Sequence, residues 1–142
     1  MSRDLGEAVK WYHLSAEQGD AASQAKLGLF YESGWSVTQD YAAAVRWYEL
    51  AARQGDMHAQ HNLAICYEQA KGVAQDYAEA LAWYTKAAEQ DHADAKNNLG
   101  RFYFHGFGVP VDKEKARKLL EEAAVAGIAE AEENLRLLQA ER

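Results

Sequence analysis

The sequence contains one proline, one cysteine and no apolar run near the ~20 residues that a membrane-spanning helix requires. A bilayer span is therefore not expected. The lone Cys66 excludes an internal disulfide framework; it fits a reducing compartment, although a disulfide-free periplasmic protein would look the same. Scarce proline and few β-branched residues beside many alanines favour helix, because alanine and straight-chain residues give up least conformational freedom there. Almost no strand is expected. Neither charge sign is gathered into a long block, and 15 Lys+Arg against 22 Asp+Glu give a net charge of −7. The wide positive field that attracts phosphate backbones is missing, so nucleic acid is not an expected partner. The opening residues, MSRDLGEAVK, lack the apolar run of a signal peptide. As written, the chain is expected to be cytoplasmic, with a periplasmic or secreted location left open for a fragment or mature chain. There is no G-x-S-x-G, no Gly-rich phosphate loop between strand and helix, and no recurring pairing of His with a carboxylate. Neither an enzyme nor a cofactor is indicated.

What the chain does contain is one phrase said repeatedly. GVAQDYAEALAWYTKAAEQ, from Gly72 to Gln90, is echoed upstream by VTQDYAAAVRWYELAARQ (Val37–Gln54) and downstream by VPVDKEKARKLLEEAAVA (Val109–Ala126). Trp11, Trp47 and Trp83 recur every 36 residues, with Leu119 in the next slot; Tyr12, Tyr48, Tyr84 and Leu120 follow one residue behind. Leu27, Leu63, Leu99 and Leu135 keep the same interval, as do Tyr31, Tyr67 and Tyr103, and Ala8, Ala44, Ala80 and Ala116. A fixed period of this length marks a stacked repeat in which each unit covers its neighbour's apolar face. With 142 residues, 49% of them hydrophobic, a single domain over residues 1–142 can bury a substantial core.

Each repeat reads as two helices. DMHAQHNLAICYEQ places Ala59, Leu63, Cys66 and Tyr67 on one face at helical spacing, giving a helix A. DYAEALAWYTKAAEQ opens with Asp76 and has Glu79 three residues on, a capping box, giving a helix B. Asp4, Asp40 and Asp112 repeat that cap, and Gly19, Gly55 and Gly127 stand just beyond helix B, where a left-handed residue ends a helix; Asp91 breaks the glycine series. Helix B is expected near residues 4–18, 40–54, 76–90 and 112–126, and helix A near 20–33, 56–69, 92–105 and 128–140. The expected total is seven helices, one fewer than these ranges.

The wording A-x-x-x-L-G-x-x-Y, then G-x-G-V-x-x-D-Y, then A-x-x-W-Y-x-x-A-A-x-x-G resembles the Sel1-like repeat, a relative of the tetratricopeptide repeat. It is carried by AKNNLGRFYFHGFGV from Ala95, by Gln75, Asp76 and Tyr77, and by WYELAARQG from Trp47. The resemblance implies an all-α, right-handed α-α solenoid of 36-residue helix pairs. A lone helix B (1–19) would precede full repeats at 20–55, 56–91 and 92–127, with a capping helix at 128–142 that has Gln139 where Tyr is expected. Lacking an A partner, that first helix B leaves one side of Trp11 and Tyr12 open, as in a truncated solenoid or one closed by another chain, and self-association there is one expectation. The inter-helix glycines are complete only at Gly106 and Gly108; Ala70 precedes Gly72, and Trp35 and Ser36 follow Gly34, so altered loops are expected.

Most candidates for chemistry have a structural explanation. The recurrent aromatics occupy the family's packing positions and are expected in the core. Trp35, in a loop slot filled elsewhere by Lys71 and Phe107, is either an exposed contact residue or folded back on its own repeat. His58 and His61 could face one metal, with Asp94 and His105 approaching from the next helix A, but the ligand set is incomplete and a solvated face is favoured. Cys66 takes the slot of Phe30, Phe102 and Leu138 and is expected to be a buried small hydrophobe. The acidic stretch EAEENLRLLQAER reads as a solvated outer face.

In the related tetratricopeptide fold helix A lines a concave surface, and the residue before the repeated leucine points inward: Lys26, Asn62, Asn98 and Asn134. A row of carboxamides could pair with the backbone of an extended peptide, or bond only a neighbouring helix. Leu29, His61, Ile65, Asn97, Arg101, Phe104 and His105 surround the row, and Arg101 is the choice for a partner carboxylate because its fork engages both oxygens. The resemblance implies a non-catalytic scaffold that binds a protein or peptide partner in this groove, in bacterial signalling, envelope assembly, host interaction, quality control or toxin immunity. The alternative is a binder of small molecules or cell-wall fragments with hydrolase activity, suggested for cysteine-rich members; a single cysteine argues against it.

Overall fold

Asp20, Asp40, Asp56 and Asp112 each stand one residue before a helix, in extended backbone, and each accepts the N–H of the third residue on at 2.9–3.0 Å. His92 does the same through Nδ1, 3.1 Å from the amide of Ala95. Each such bond satisfies a donor that the first helical turn leaves unpaired. The computed structural model describes the backbone of residues 2–141 and the side chains of residues 6–141. Among these residues it contains eight helices and no strand: α1 (Ser2–Glu17), α2 (Ala21–Ser33), α3 (Tyr41–Arg53), α4 (Met57–Gln69), α5 (Tyr77–Glu89), α6 (Ala93–His105), α7 (Lys113–Val125) and α8 (Ala129–Ala140). All eight expected ranges are filled, so the total of seven is one short. From α2 on, each helix begins one residue after its expected start because the capping residue remains outside it. Asp4 falls inside α1 rather than before it, and its side chain lies outside the described residues. No described helix is long and apolar enough to cross a membrane.

The chain forms two compact units, one ending at Asp76 and the other beginning at Tyr77. In the first, α1 packs on α2, α2 on α3 and α3 on α4, and α2 also touches α4. Val9, Ala16, Leu27 and Phe30 are buried together, with Tyr12, Val37 and Trp47 against them. In the second, α5, α6, α7 and α8 pack in the same succession, and α6 touches α8. There the Phe102 ring takes Tyr77, Tyr84 and Phe107 edge-on at 5.3–5.7 Å, a favoured aromatic geometry.

One helix A position governs how closely helix B approaches. A Cβ built on Gly28 would lie 2.4 Å from the Tyr48 ring, and one built on Gly100 would lie 2.9 Å from the Leu120 side chain, so each glycine is the seat of a helix B side chain. Four residues on, the partner changes with the seated residue. Tyr48 is fully buried and its hydroxyl donates to Glu32 Oε1 at 2.6 Å, whereas Leu120, with no hydroxyl, is matched by Phe104, buried among Ala116, Leu138 and Tyr103. The buried Tyr48 hydroxyl thus has its acceptor, as burial of a polar group requires.

Departures from the glycine pattern do not reshape the loops. Ala70 adopts φ 58°, as Gly34 and Gly106 adopt 75° and 80°; Ser36 (58°) follows Gly72 (76°) and Gly108 (66°); and Asp91 takes 65° where Gly19, Gly55 and Gly127 take 96–98°. The expectation of altered loops is thus corrected: the non-glycine residues accept the left-handed conformation. Asp91 is also held by an ion pair with Lys96 Nζ at 2.9 Å. Lys96 bonds Glu122 at 2.9 Å as well, and both carboxylates push its ammonium pKa up. In the first unit the slot of Lys96 holds buried glutamines: Gln24 and Gln60 each donate to the end of the preceding helix B, at Ala16 O (3.1 Å) and Ala52 O (3.2 Å).

Candidate partner-binding surface

Helix A side chains expected to meet a partner divide by depth. On α2 Lys26 and Leu29 are exposed, and on the adjoining α4 His61, Asn62 and Ile65 are half-buried. In the second unit Asn98 and Arg101 lie one turn apart on α6, half-buried, with Arg101 Nη2 donating to Asn98 Oδ1 at 3.3 Å and the guanidinium 5.9 Å from the Phe102 ring centre. Two expected surface residues prove internal. Asn97 is 3% exposed, donates to Glu130 Oε1 at 3.0 Å and accepts from Asn134 Nδ2 at 3.0 Å; Phe104 is in the core cluster beside Leu138. Both are drawn inward because α8 packs against α6 there. At Asn134, of the two roles open to the asparagine row, the structure shows the bond to a neighbouring helix. His105 is exposed and its ring stacks between Phe104 (4.8 Å) and Phe107 (5.0 Å).

The aromatic series separates by face. Tyr48 and Tyr84 are fully buried, but Trp47 and Trp83 are half-buried and Trp11 is 71% exposed, so the core expectation fails for Trp11. Successive helical residues point about 100° apart, and the Trp beside each inward Tyr must turn toward the flank. Trp35 combines its two alternatives: it is 61% exposed while its ring meets Phe30 edge-on at 6.5 Å. Among the described residues no three His, Cys, Asp or Glu side chains are grouped as a metal would need.

Cys66 is buried and unbonded. Burial, and next the Glu32 carboxylate, push its thiol up to about 12 from an ordinary 9.0, while Lys71 pulls the other way. Burial and Glu32 also hold the Tyr48 phenol well above the tyrosine range. An acid whose folded pKa is raised keeps its proton in the fold while the unfolded chain loses it. The unfolded state therefore binds fewer protons between pH 9 and 12, and stability falls as pH rises through that window. Cys66 is accordingly expected to react slowly with Ellman's reagent until denaturant unfolds the chain, with fast native labelling counting against the burial. The signal for this was legible in the apolar residues that share its slot.

A Sel1 repeat model matches residues 1–20, 21–56, 58–92 and 93–127. No curated protein matches the chain. Among solved structures, a protective antigen of uropathogenic Escherichia coli strains with an SLR fold is similar at 35% identity and a TM-score of 0.87, over 92% of this chain and 28% of that one. A Sel1 repeat protein from Oxalobacter formigenes is similar at 35% identity and a TM-score of 0.84, over 92% of this chain and 53% of its own. The chain thus spans roughly a quarter and a half of those two proteins. Helicobacter pylori cysteine rich protein B, at 23% identity and a TM-score of 0.71 over 92% of this chain and 94% of that one, shares the fold. Proteins of this repeat class generally mediate protein–protein interaction and are generally non-catalytic. The repeat matches over residues 1–127, the glycine-seated helix pairs and the structural likeness together place the chain in the Sel1 repeat family.

Proposed function

We propose that the chain is a non-catalytic bacterial adaptor that binds a protein or peptide partner along its helix A face. What supports this is the placement of Asn98 and Arg101 on α6, one turn apart and half-buried, with Arg101 Nη2 donating to Asn98 Oδ1 and the guanidinium beside the Phe102 ring, an amide and a cation set side by side on the helix A face. Asn97 and Phe104, one turn to either side, hold α8 and provide the rigid backing. Asn98 and Arg101 form the centre of the contact, with Asn62, His61 and Ile65 of α4 and Lys26 and Leu29 of α2 as further contacts.

Affinity capture on the full chain, with the bound protein identified by mass spectrometry, supplies the partner for the test. The double substitution Asn98→Ala with Arg101→Ala is expected to weaken that complex by about 2 kcal/mol or more, the scale of a charge-assisted bond lost from a desolvated contact. Helicity should stay unchanged. Lys86→Ala with Glu89→Ala on α5 is the control. Loss of capture in the control and wild-type binding in the Asn98/Arg101 variant would move the site to helix B.

A further inference from the structure

We propose that the outer face of α1 and α3 is a second docking surface, and that it takes an acidic, amphipathic segment of a partner protein. A triplet of cation, tryptophan and leucine occurs twice there in register: Lys10, Trp11 and Leu14 on α1, then Arg46, Trp47 and Leu50 on α3. Lys10 and Arg46 are exposed, and Trp11, Leu14 and Leu50 are 71%, 55% and 49% exposed. The two copies are neighbours, because His13 of α1 meets the Trp47 ring edge-on at 5.9 Å while its Nε2 lies 3.1 Å from the Tyr31 hydroxyl of α2. A depression of about 390 Å³ lies at that junction, lined by His13, Tyr31, Arg46, Trp47 and Leu50; another of about 390 Å³ lies along α1 between Glu7, Lys10, Trp11 and Leu14.

The fold itself does not demand these residues. The same three slots hold Ala82, Trp83 and Lys86 on α5, where the Lys86 ammonium sits 4.6 Å over the Trp83 ring, and Lys118, Leu119 and Glu122 on α7, where Glu122 pairs with Lys96. The difference lies in the leucine slot: the second unit has Lys86 and Glu122 there, both in polar contacts, whereas the first has the exposed Leu14 and Leu50. Among the described residues neither Lys10 nor Arg46 forms an ion pair, although the chain carries a net charge of −7. Two cations flanking exposed indole and leucine complement a segment whose apolar side chains alternate with carboxylates. A second copy of this face and an anionic bilayer are the other occupants, and the test separates them.

The probe is a phage-displayed library of random peptides of about 12 residues, a length that covers one recognition segment, panned against the full chain. Selected peptides are expected to combine Asp or Glu with Leu, Phe or Trp. The dissociation constant of a synthetic copy should rise at least about tenfold in Lys10→Glu/Arg46→Glu, as for loss of a paired charge, and in Trp11→Ala/Leu50→Ala. Asn98→Ala/Arg101→Ala should bind that peptide like wild type, which separates this surface from the helix A face. No enrichment, enrichment of basic or uncharged peptides, or undiminished binding by both outer-face variants, each shown folded by circular dichroism, overturns the proposal. So does light scattering that shows a dimer abolished by Trp11→Ala/Leu50→Ala, or sedimentation with phosphatidylglycerol vesicles abolished by Lys10→Glu/Arg46→Glu.

Discussion

Gly72→Ala is expected to destabilise the protein by about 2–5 kcal/mol, from left-handed strain of ~1–2 plus overpacking of ~1–3 kcal/mol. Gly72 sits at φ 76°, and an added Cβ would lie 2.4 Å from the Tyr41 carbonyl oxygen, 2.6 Å from its carbon and 2.9 Å from the Ala42 nitrogen. Those atoms are the backbone of the first turn of α3, so no rotamer change relieves the clash; the loop or the helix start must move. Gly55 is the control, since it has φ 98° but open space around the added carbon, and Gly55→Ala should cost only the conformational strain, about 1–2 kcal/mol. Urea midpoints of the two variants measure the difference. Equal, small losses would mean that the loop after α4 does not rest on α3.

Leu99→Ala should lose roughly 2–5 kcal/mol, the range for truncating a packed leucine that leaves a cavity. Leu27 and Leu63 are fully buried and Leu99 is 4% exposed, whereas Leu135, the same slot on α8, is only half-buried. Leu135→Ala is therefore the smaller member of the series. The same urea titration checks both. A loss near zero at Leu99 would show that the leucine series does not hold the helix pairs together.

The repeat made the helices legible because periodicity and end signals coincide: Asp40 and Asp112 bond the N–H groups that a capping residue should. The helix A caps were less visible, because Asp20 and Asp56 are matched in the third repeat by His92, a residue rarely read as a cap. Glycine was an incomplete guide to the left-handed turns, since Ala70, Ser36 and Asp91 adopt them under tertiary constraint. The site was harder to read than the fold. Asn97 and Asn98 are indistinguishable as adjacent letters, yet one is buried against Glu130 and Asn134, contacts that lie more than 30 residues away and that no local pattern reveals. The outer triplets were hidden for the opposite reason: their tryptophans share the period of the core tyrosines, and period alone does not distinguish inward residues from those one step round the helix.

The glycine seats carry a rule for lengthening such a stack. The slot runs Gly28, Ala64, Gly100 and then Arg136, whose guanidinium is exposed and paired with Glu133 at 2.5 Å. Where the Tyr48 ring and the Leu120 side chain press onto bare Cα atoms, α8 offers a long charged side chain instead. A helix B laid on α8 as α7 lies on α6 would have to bury or evict that charge, an unfavourable exchange without a partner inside the contact. Grafting a unit behind α8 in the manner of α7 on α6 therefore calls for a small residue at this slot before the new helix can close down.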